Sequence, residues 1–436
     1  MARTQNRERD RVQNGVQDRA RDGVQAPWAF VRLLALVAAL VLAVGITGGA
    51  TTAFAADTHA QAALSKNIKM PVGTTTPTAN FVFAVAAVSV DGLAANDATN
   101  PTNMPAIGDI TVSFTSADAG TATSDVKSVK KESGNILSGV SFPHPGKYVY
   151  RITEKATSSY QAGTNETLSY SPAVYEMTIY VKQSSDNSAI SYPAVITTTV
   201  VTVDNSDQTQ DDKVNSTPGG TGGGSSEMIF TSTYLKRSGV DPATDSALTL
   251  SKTVTGEYGS TALYFTFDLS VTKPSLVSGN VDYKAYVTEG SSVVTSAANG
   301  TVAGTDSYGG YLSVTPGTVA TVKLKHGQKL VVTNVYVGTT YTVNEAATPE
   351  YTPSVIVTTA GIAAAPVAGN EGAALASGTQ LVGDGANGAA YTNDNPVSSP
   401  TGINLDDLPF YGIVLICLAA LAVYVAVSLK RRRKRG

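Results

Sequence analysis

Short runs of alternating apolar and polar residues follow one another from about residue 60 to residue 396. Clear examples are 81–85, 148–152, 177–181, 196–203, 264–271 and 341–343. Clusters of Gly, Pro, Asn and Asp separate the runs, and no stretch of this region has the period of an amphipathic helix. A period of two places alternate side chains on opposite faces of a strand. The pattern therefore predicts an all-β fold of Ig-like β-sandwiches.

The β region contains an internal repeat. Residues 64–68 (LSKNI) match 250–254 (LSKTV), and an aromatic-x-Phe strand follows each copy. Further along, 150–154 (YRITE) matches 341–345 (YTVNE), and each copy closes with a short aromatic strand, at 230–234 or 391–393. The repeat predicts two tandem sandwiches of one type.

The predicted domains span 56–236 and 244–396. The Gly-rich stretch 217–226 has the composition of a flexible linker and is a candidate domain boundary. We interpret it instead as a loop inside the first domain, because the closing strand of that domain comes after it.

The N-terminus has the layout of an export signal. Arg residues precede an uncharged stretch, 33–55, which ends in the small-residue pattern Ala53-Phe54-Ala55. These features predict a signal peptide over 1–55, cleaved after Ala55. The alternative is an uncleaved transmembrane helix.

The C-terminus predicts a membrane anchor. Residues 410–429 contain no charge and would span about 30 Å as a helix, and the basic tail 430–435 follows at once. Positive residues stay in the cytoplasm, so 56–409 is expected outside. The segment 397–436, in which Pro-Thr-Gly precedes the helix, resembles a sortase sorting signal with cleavage between Thr401 and Gly402. Ser398 and Ser399 depart from its common form, and a simple single-pass protein is the alternative.

Composition narrows the classes of function. The region 56–402 holds 18 basic and 28 acidic residues, which disfavours nucleic-acid binding. The single cysteine, Cys417, lies in the membrane segment, so the exported part cannot contain a disulfide. With three histidines and no nucleophile elbow, metal motif or phosphate loop, the sequence predicts no enzyme activity, metal or cofactor.

A lysine and a glutamate face the apolar side of the predicted strands in each domain. Lys66 and Lys252 lie in the first strand of their domains and share a strand face with the apolar residues two positions away. Glu154 and Glu345 share a face with apolar residues late in each domain. Asn393 shares its face with Tyr391. Burial lowers the pKa of lysine and raises that of glutamate. A neutral amine is a nucleophile, and a protonated carboxyl can relay protons, so an amine, a carboxyl and a carboxamide held together can form an amide and release ammonia.

These features resemble the isopeptide-linked domains of Gram-positive pilins and surface adhesins. The first domain resembles the streptococcal pilin isopeptide-linker domain. The second, with Lys325-His326-Gly-Gln ahead of Glu345 and Tyr351, resembles a related domain common in surface proteins of bifidobacteria and other gut actinobacteria.

The resemblance implies roles for particular residues. In the second domain Lys252 is the nucleophile, Glu345 the proton shuttle and Asn393 the acceptor. In the first domain Lys66 and Glu154 match, but the acceptor position falls on Ser232, which has no carboxamide.

Several interpretations of the first domain stay open. The bond is absent, or Asn215 replaces the acceptor, or the strand alignment is wrong. Lys69 is a further candidate nucleophile, although it lies on the opposite strand face. A buried Lys–Glu salt bridge without any covalent bond is the alternative in either domain.

The sequence thus predicts a structural cell-surface protein, either a pilus subunit or a wall-anchored adhesin stalk. The expected partners are a sortase and either peptidoglycan or neighbouring pilin subunits. A membrane-anchored adhesin that binds host glycans or matrix proteins is the alternative function. Lys213 is a candidate lysine for linking subunits, or simply a solvated loop residue.

Overall fold

The computed structural model describes residues 59–95, 104–157, 159–184, 191–204, 208–219, 227–244, 248–396 and 408–433. The described chain is built of β-strands and one C-terminal helix, which confirms the all-β prediction. The predicted signal segment 1–55, most of the Gly-rich stretch 217–226, and Thr401 and Gly402 lie outside the described residues.

The first half of the β region forms two sheets packed face to face. Its strands are β1 (Ser65–Pro71), β2 (Ala79–Val90), β3 (Leu93–Ala94), β4 (Ile110–Phe114), β5 (Thr121–Thr123), β6 (Val126–Glu132), β7 (Gly146–Glu154), β8 (Glu166–Leu168), β9 (Val174–Gln183), β10 (Ser191–Thr202), β11 (Lys213–Val214) and β12 (Ile229–Lys236). One sheet has the order β5-β6-β1-β12-β8, and the other has β11-β10-β9-β7-β2-β3 with β4 also on β2. Phe83 of one sheet meets Phe230 of the other at a ring distance of 4.8 Å in the core between them.

The second half repeats this plan with its own core. Its strands are β13 (Leu248–Thr255), β14 (Phe265–Thr272), β15 (Tyr283–Glu289), β16 (Ser292–Val293), β17 (Gly304–Asp306), β18 (Gly309–Val314), β19 (Val319–Leu324), β20 (Gln328–Val332), β21 (Thr340–Glu345), β22 (Thr352–Thr359), β23 (Ile362–Ala363), β24 (Val367–Ala368), β25 (Leu375–Ala376), β26 (Gln380–Leu381) and β27 (Gly388–Asp394). The larger sheet has the order β17-β18-β15-β20-β13-β27-β22-β23, and the smaller has β19-β14-β21-β25. Phe267 and Tyr391 pack between them at 5.2 Å.

The first and last strands of each sandwich are parallel neighbours. On β1 and β12, Lys66 lies opposite Phe230, and Ile68 lies opposite Ser232. On β13 and β27, Lys252 lies opposite Tyr391, and Val254 lies opposite Asn393. The two sandwiches therefore have the same register at the positions that the repeat singled out.

Hydrogen bonds join the two sandwiches. The carboxylate of Asp125 accepts from the backbone N–H and the hydroxyl of Ser275 at 2.6 and 2.9 Å. Asp384 forms an ion pair with Lys236 at 2.8 Å and accepts from the N–H of Thr75 at 3.2 Å. These contacts tie β12 and the loops of the first sandwich to the second.

The C-terminal helix, α1 (Leu408–Arg433), is long and apolar enough to cross a membrane. It is longer than the predicted span 410–429, because Lys and Arg are good helix formers and the tail continues the helix. The four basic residues of its last turn also interact favourably with the negative end of the helix dipole.

Candidate functional site

The second sandwich brings its three predicted site residues together. Lys252 on β13, Glu345 on β21 and Asn393 on β27 are each 1% exposed. The ammonium Nζ of Lys252 lies 2.6 Å from Oε1 of Glu345, and the carboxamide Nδ2 of Asn393 donates to the same oxygen at 2.9 Å. The site therefore spans both sheets, with the glutamate reaching from the small sheet to two neighbouring strands of the large one.

Burial sets the protonation chemistry of this site. Loss of hydration lowers the pKa of Lys252 to about 8, against the attraction of Glu345. The same loss raises the pKa of Glu345, although Lys252 and Asn393 partly oppose it. The Nζ of Lys252 also lies 4.0 Å from the ring centre of Phe265. The shifts narrow the gap between the two pKa values and so lower the free-energy cost of moving a proton from Lys252 to Glu345.

Two oxygens in the site have no hydrogen-bond partner. They are Oε2 of Glu345 and Oδ1 of Asn393, and both are buried. A buried acceptor without a donor costs about 1–3 kcal/mol. A proton on the Glu345 carboxyl would supply a donor for the amide oxygen after a half-turn of the carboxamide. An ionised carboxylate can only accept hydrogen bonds, so Glu345 becomes a donor to the amide oxygen when it is protonated.

The first sandwich assembles its own triad with a different third member. The Nζ of Lys66 contacts both carboxylate oxygens of Glu154 at 2.6 and 2.7 Å, and both side chains are fully buried. It also contacts the hydroxyl oxygen of Ser232 at 2.5 Å. The backbone N–H of Ser171 donates to Oε2 of Glu154 at 2.7 Å. Both carboxylate oxygens of Glu154 are thus occupied, whereas Oε2 of Glu345 has no partner.

Burial shifts the pKa values of the first pair in the same directions. Loss of hydration lowers the pKa of Lys66 to about 8, opposed mainly by Glu154. It raises the pKa of Glu154, opposed by Lys66 and by the hydrogen bond from Ser171. The electrostatics of the two lysines are therefore alike, and the main chemical difference is at the third residue.

The register bears on the open alternatives for the first domain. Ser232 stands two residues beyond the strand partner of Lys66, as Asn393 stands two beyond the partner of Lys252, so the two positions correspond. The carboxamide oxygen of Asn215 accepts from Thr217 within its own loop at 3.0 Å. Lys69 is only partly buried.

Sequence reasoning missed the residues that support the first site. Ser171 follows β8, and its hydroxyl donates to Asp204 at 2.5 Å. Asp204 also accepts from the N–H of Thr231, beside Ser232. No motif marks these residues, because the contacts join segments that are remote in sequence.

The remaining candidate residues are exposed or only partly buried. Lys213 is exposed on the two-residue edge strand β11. His59 and His326 are exposed, and His144 is half-buried. Among the described residues, no group of His, Cys, Asp or Glu side chains is arranged to hold a metal ion.

A family model for a domain of unknown function, DUF7601, matches residues 246–379. That segment contains Lys252 and Glu345 and ends before Asn393. No functionally curated protein sequence was found to match the chain.

Several solved pilus proteins are structurally similar to parts of the chain. The major pilin from Streptococcus pyogenes is 19% identical, with a TM-score of 0.31 over 78% of this chain and 100% of that one. A second S. pyogenes major pilin, T3.2, is 18% identical, with a TM-score of 0.30 over 78% and 98%. The pilus-presented adhesin Cpa is 17% identical, with a TM-score of 0.23 over 51% and 36%. At TM-scores this low the likeness does not extend to function.

Proposed function

We propose that this chain is a structural cell-surface protein whose second sandwich locks itself with an amide bond between Lys252 and Asn393. The observation that carries the proposal is the buried contact of an amine, a carboxyl and a carboxamide on three strands. Folding holds the reactants together and so supplies an effective concentration that no bimolecular reaction reaches.

The reaction balances without a cofactor. Lys252 passes its proton to Glu345, and the neutral Nζ attacks Cγ of Asn393 while the protonated carboxyl polarises the amide oxygen. Collapse of the tetrahedral intermediate breaks the Cγ–Nδ2 bond, and Glu345 relays the proton from the attacking nitrogen to the leaving one. The products are one secondary amide and one ammonia molecule. The buried ammonium disappears with the reaction, which removes the cost of burying it.

The first sandwich keeps its ion pair in this proposal. Ser232 offers a hydroxyl where Asn393 offers a carboxamide, so Lys66 has no acyl group to attack at that position. Its ammonium is instead satisfied by Glu154 and Ser232.

The position of the bond suits a protein that carries tension. β13 and β27 are the first and last strands of their sandwich, so a pulling force enters through one and leaves through the other. A covalent bond between them carries the force past the hydrogen-bonded strands in between. The polar contacts of Asp125 and Asp384 add resistance to bending between the sandwiches.

The anchoring part of the proposal rests on α1, its basic end and the Pro-Thr-Gly sequence before it. We expect the protein in the producing cell to be released by enzymes that digest peptidoglycan, and not by detergent alone. Replacing Thr401 with Ala should shift it to the detergent fraction, because the cleavage site is lost while the helix remains. An immunoblot of the two fractions tests this. Complete detergent extraction of the unaltered protein as one monomer band would rule out wall attachment.

Lys213 is the lysine we propose for joining subunits, if the protein polymerises. It is exposed at a sheet edge, and its side chain has no ion-pair partner within the described part of the chain. We expect Lys213→Arg to abolish a high-mass ladder on a denaturing gel, because arginine keeps the charge but not the nucleophilic amine. Lys182→Arg, on β9, is the matched control and should leave the ladder intact. A ladder that survives Lys213→Arg would exclude this residue.

A further inference from the structure

The turn 325–328 contacts β13 beside Lys252. β20 pairs with β13 only from Leu248 to Ser251, so β13 extends beyond the end of this neighbour. On that side, the carbonyl oxygen of Lys252 and the N–H of Val254 have no hydrogen-bond partner on β20. A buried backbone group without a partner costs about as much as a lost hydrogen bond, so these two groups need other partners.

Two residues of the turn supply those partners. The N–H of Gly327 donates to the carbonyl oxygen of Lys252 at 2.9 Å. The N–H of Val254 donates to ring Nδ1 of His326 at 2.9 Å. A backbone N–H can only donate, so Nδ1 carries a lone pair and the ring proton lies on Nε2.

Hydrogen bonds within the turn and to the core hold the turn in place. The N–H of Gln328 donates to the carbonyl oxygen of Lys325 at 3.1 Å, and Gly327 takes the left-handed φ of 80° that this geometry requires. The side-chain oxygen of Gln328 accepts from the N–H of Lys325 at 3.2 Å and from the carboxamide of the fully buried Asn299 at 3.1 Å. His326 therefore projects from a support that is anchored in the core.

The hydrogen bonds from the turn to β13 lie at the positions that react. Lys252 is the nucleophile of the proposed reaction, and Val254 is the residue of β13 that lies directly opposite Asn393. In the first sandwich, β6 pairs with β1 from Ser65 to Pro71, well past Lys66, so the ladder itself fixes that lysine. In the second sandwich the strand pairing ends at Ser251, and the His326 side chain accepts the N–H of Val254 in its place.

We infer that His326 is a positioning residue for amide formation between Lys252 and Asn393. It accepts the N–H of Val254 and so fixes the strand segment that sets the approach of the Lys252 amine to the Asn393 carboxamide. The inference rests on the proposed cross-linking reaction. It adds that a side chain outside the reacting triad sets the rate.

The rate can be followed during cell-free synthesis of region 56–401. Samples taken over time are quenched, and intact mass gives the fraction that has lost ammonia. We expect His326→Phe to slow the loss about tenfold, because small displacements of reacting groups cost this much or more. His326→Asn should keep a rate near the original, because its side-chain oxygen can accept the same N–H. His144→Phe, the same change in the other sandwich, should have no effect.

A second measurement separates positioning from folding. In a Glu345→Gln background, which blocks the reaction, adding His326→Phe should leave one cooperative urea transition for the second sandwich. If Phe prevents folding, His326→Ala replaces it in both experiments. An unchanged rate in the folded Phe or Ala variant, or a His326→Asn rate as slow as theirs, would overturn the inference alone. No ammonia loss in the unaltered protein would overturn the cross-linking proposal and this inference with it.

Discussion

Region 56–401 is expected to weigh one ammonia less than its sequence mass, and Glu345→Gln should restore the full mass. The reason is that Glu345 contacts both reacting groups and is therefore placed to move the proton between them. Glu154→Gln is the matched control: it alters the corresponding glutamate of the first sandwich and should leave the deficit of one ammonia. Intact-mass spectrometry of the three purified proteins measures this directly.

Three other mass results would each contradict a different part of the proposal. A deficit of two ammonia molecules would show that Lys66 has also found an acceptor, against the placement of Ser232. A full mass in the unaltered protein would leave a buried ion pair in both sandwiches and remove the chemical basis of the proposal. A deficit that survives Glu345→Gln would rule out this residue as the proton shuttle.

Protein that has lost ammonia should unfold at a higher temperature than protein of full mass. Cross-linking Lys252 to Asn393 restricts the unfolded chain, which by the chain-entropy model contributes roughly 5 kcal/mol. For a domain of this size that corresponds to a Tm about 10 °C higher or more. Asn393→Ser is the informative variant, because it copies Ser232 and keeps the Lys252–Glu345 pair while removing the acceptor. We expect it to have full mass and a lower Tm for the second sandwich in calorimetry.

The strands and the positions of the site residues could be predicted from the sequence because both depend on short local patterns. Alternation predicted which face of β1 and β13 holds Lys66 and Lys252, and both lysines are buried on the apolar side. The resemblance to isopeptide-linked domains placed the acceptor position on Asn393 and on Ser232, and these two residues have corresponding positions in the strand register. Local patterns suffice here because a strand has only two faces, and a repeated sequence folds with a repeated register.

The supporting contacts could not be predicted in this way. The N–H of Ser171 reaches Glu154 from a segment after β8, and His326 reaches Val254 across the end of β20. Both depend on where a neighbouring strand stops, which tertiary packing decides. An exposed histidine carries no sequence signal of such a role, so His326 could be read only as a surface residue.

Ser232→Asn is expected to install a second bond and raise the mass deficit to two ammonia molecules. The new carboxamide would stand where the hydroxyl of Ser232 now lies 2.5 Å from Nζ of Lys66, with Glu154 already in contact with that nitrogen. The larger side chain enters a fully buried position, and overpacking there costs about 1–3 kcal/mol. The cross-link offsets that cost, so the first sandwich should still unfold at a higher temperature than before.

The control for the second bond is Ser232→Asn combined with Glu154→Gln, which should return the deficit to one ammonia. A folded Ser232→Asn protein with a deficit of only one would show that residue type at 232 is not what prevents the reaction. The cause would then lie in Glu154, whose carboxylate accepts the N–H of Ser171 and both contacts of Lys66. A backbone donor favours the ionised carboxyl and so opposes the proton transfer that frees the amine. Glu345 has no such donor on its second oxygen, and that difference would then separate a reactive site from an inert one.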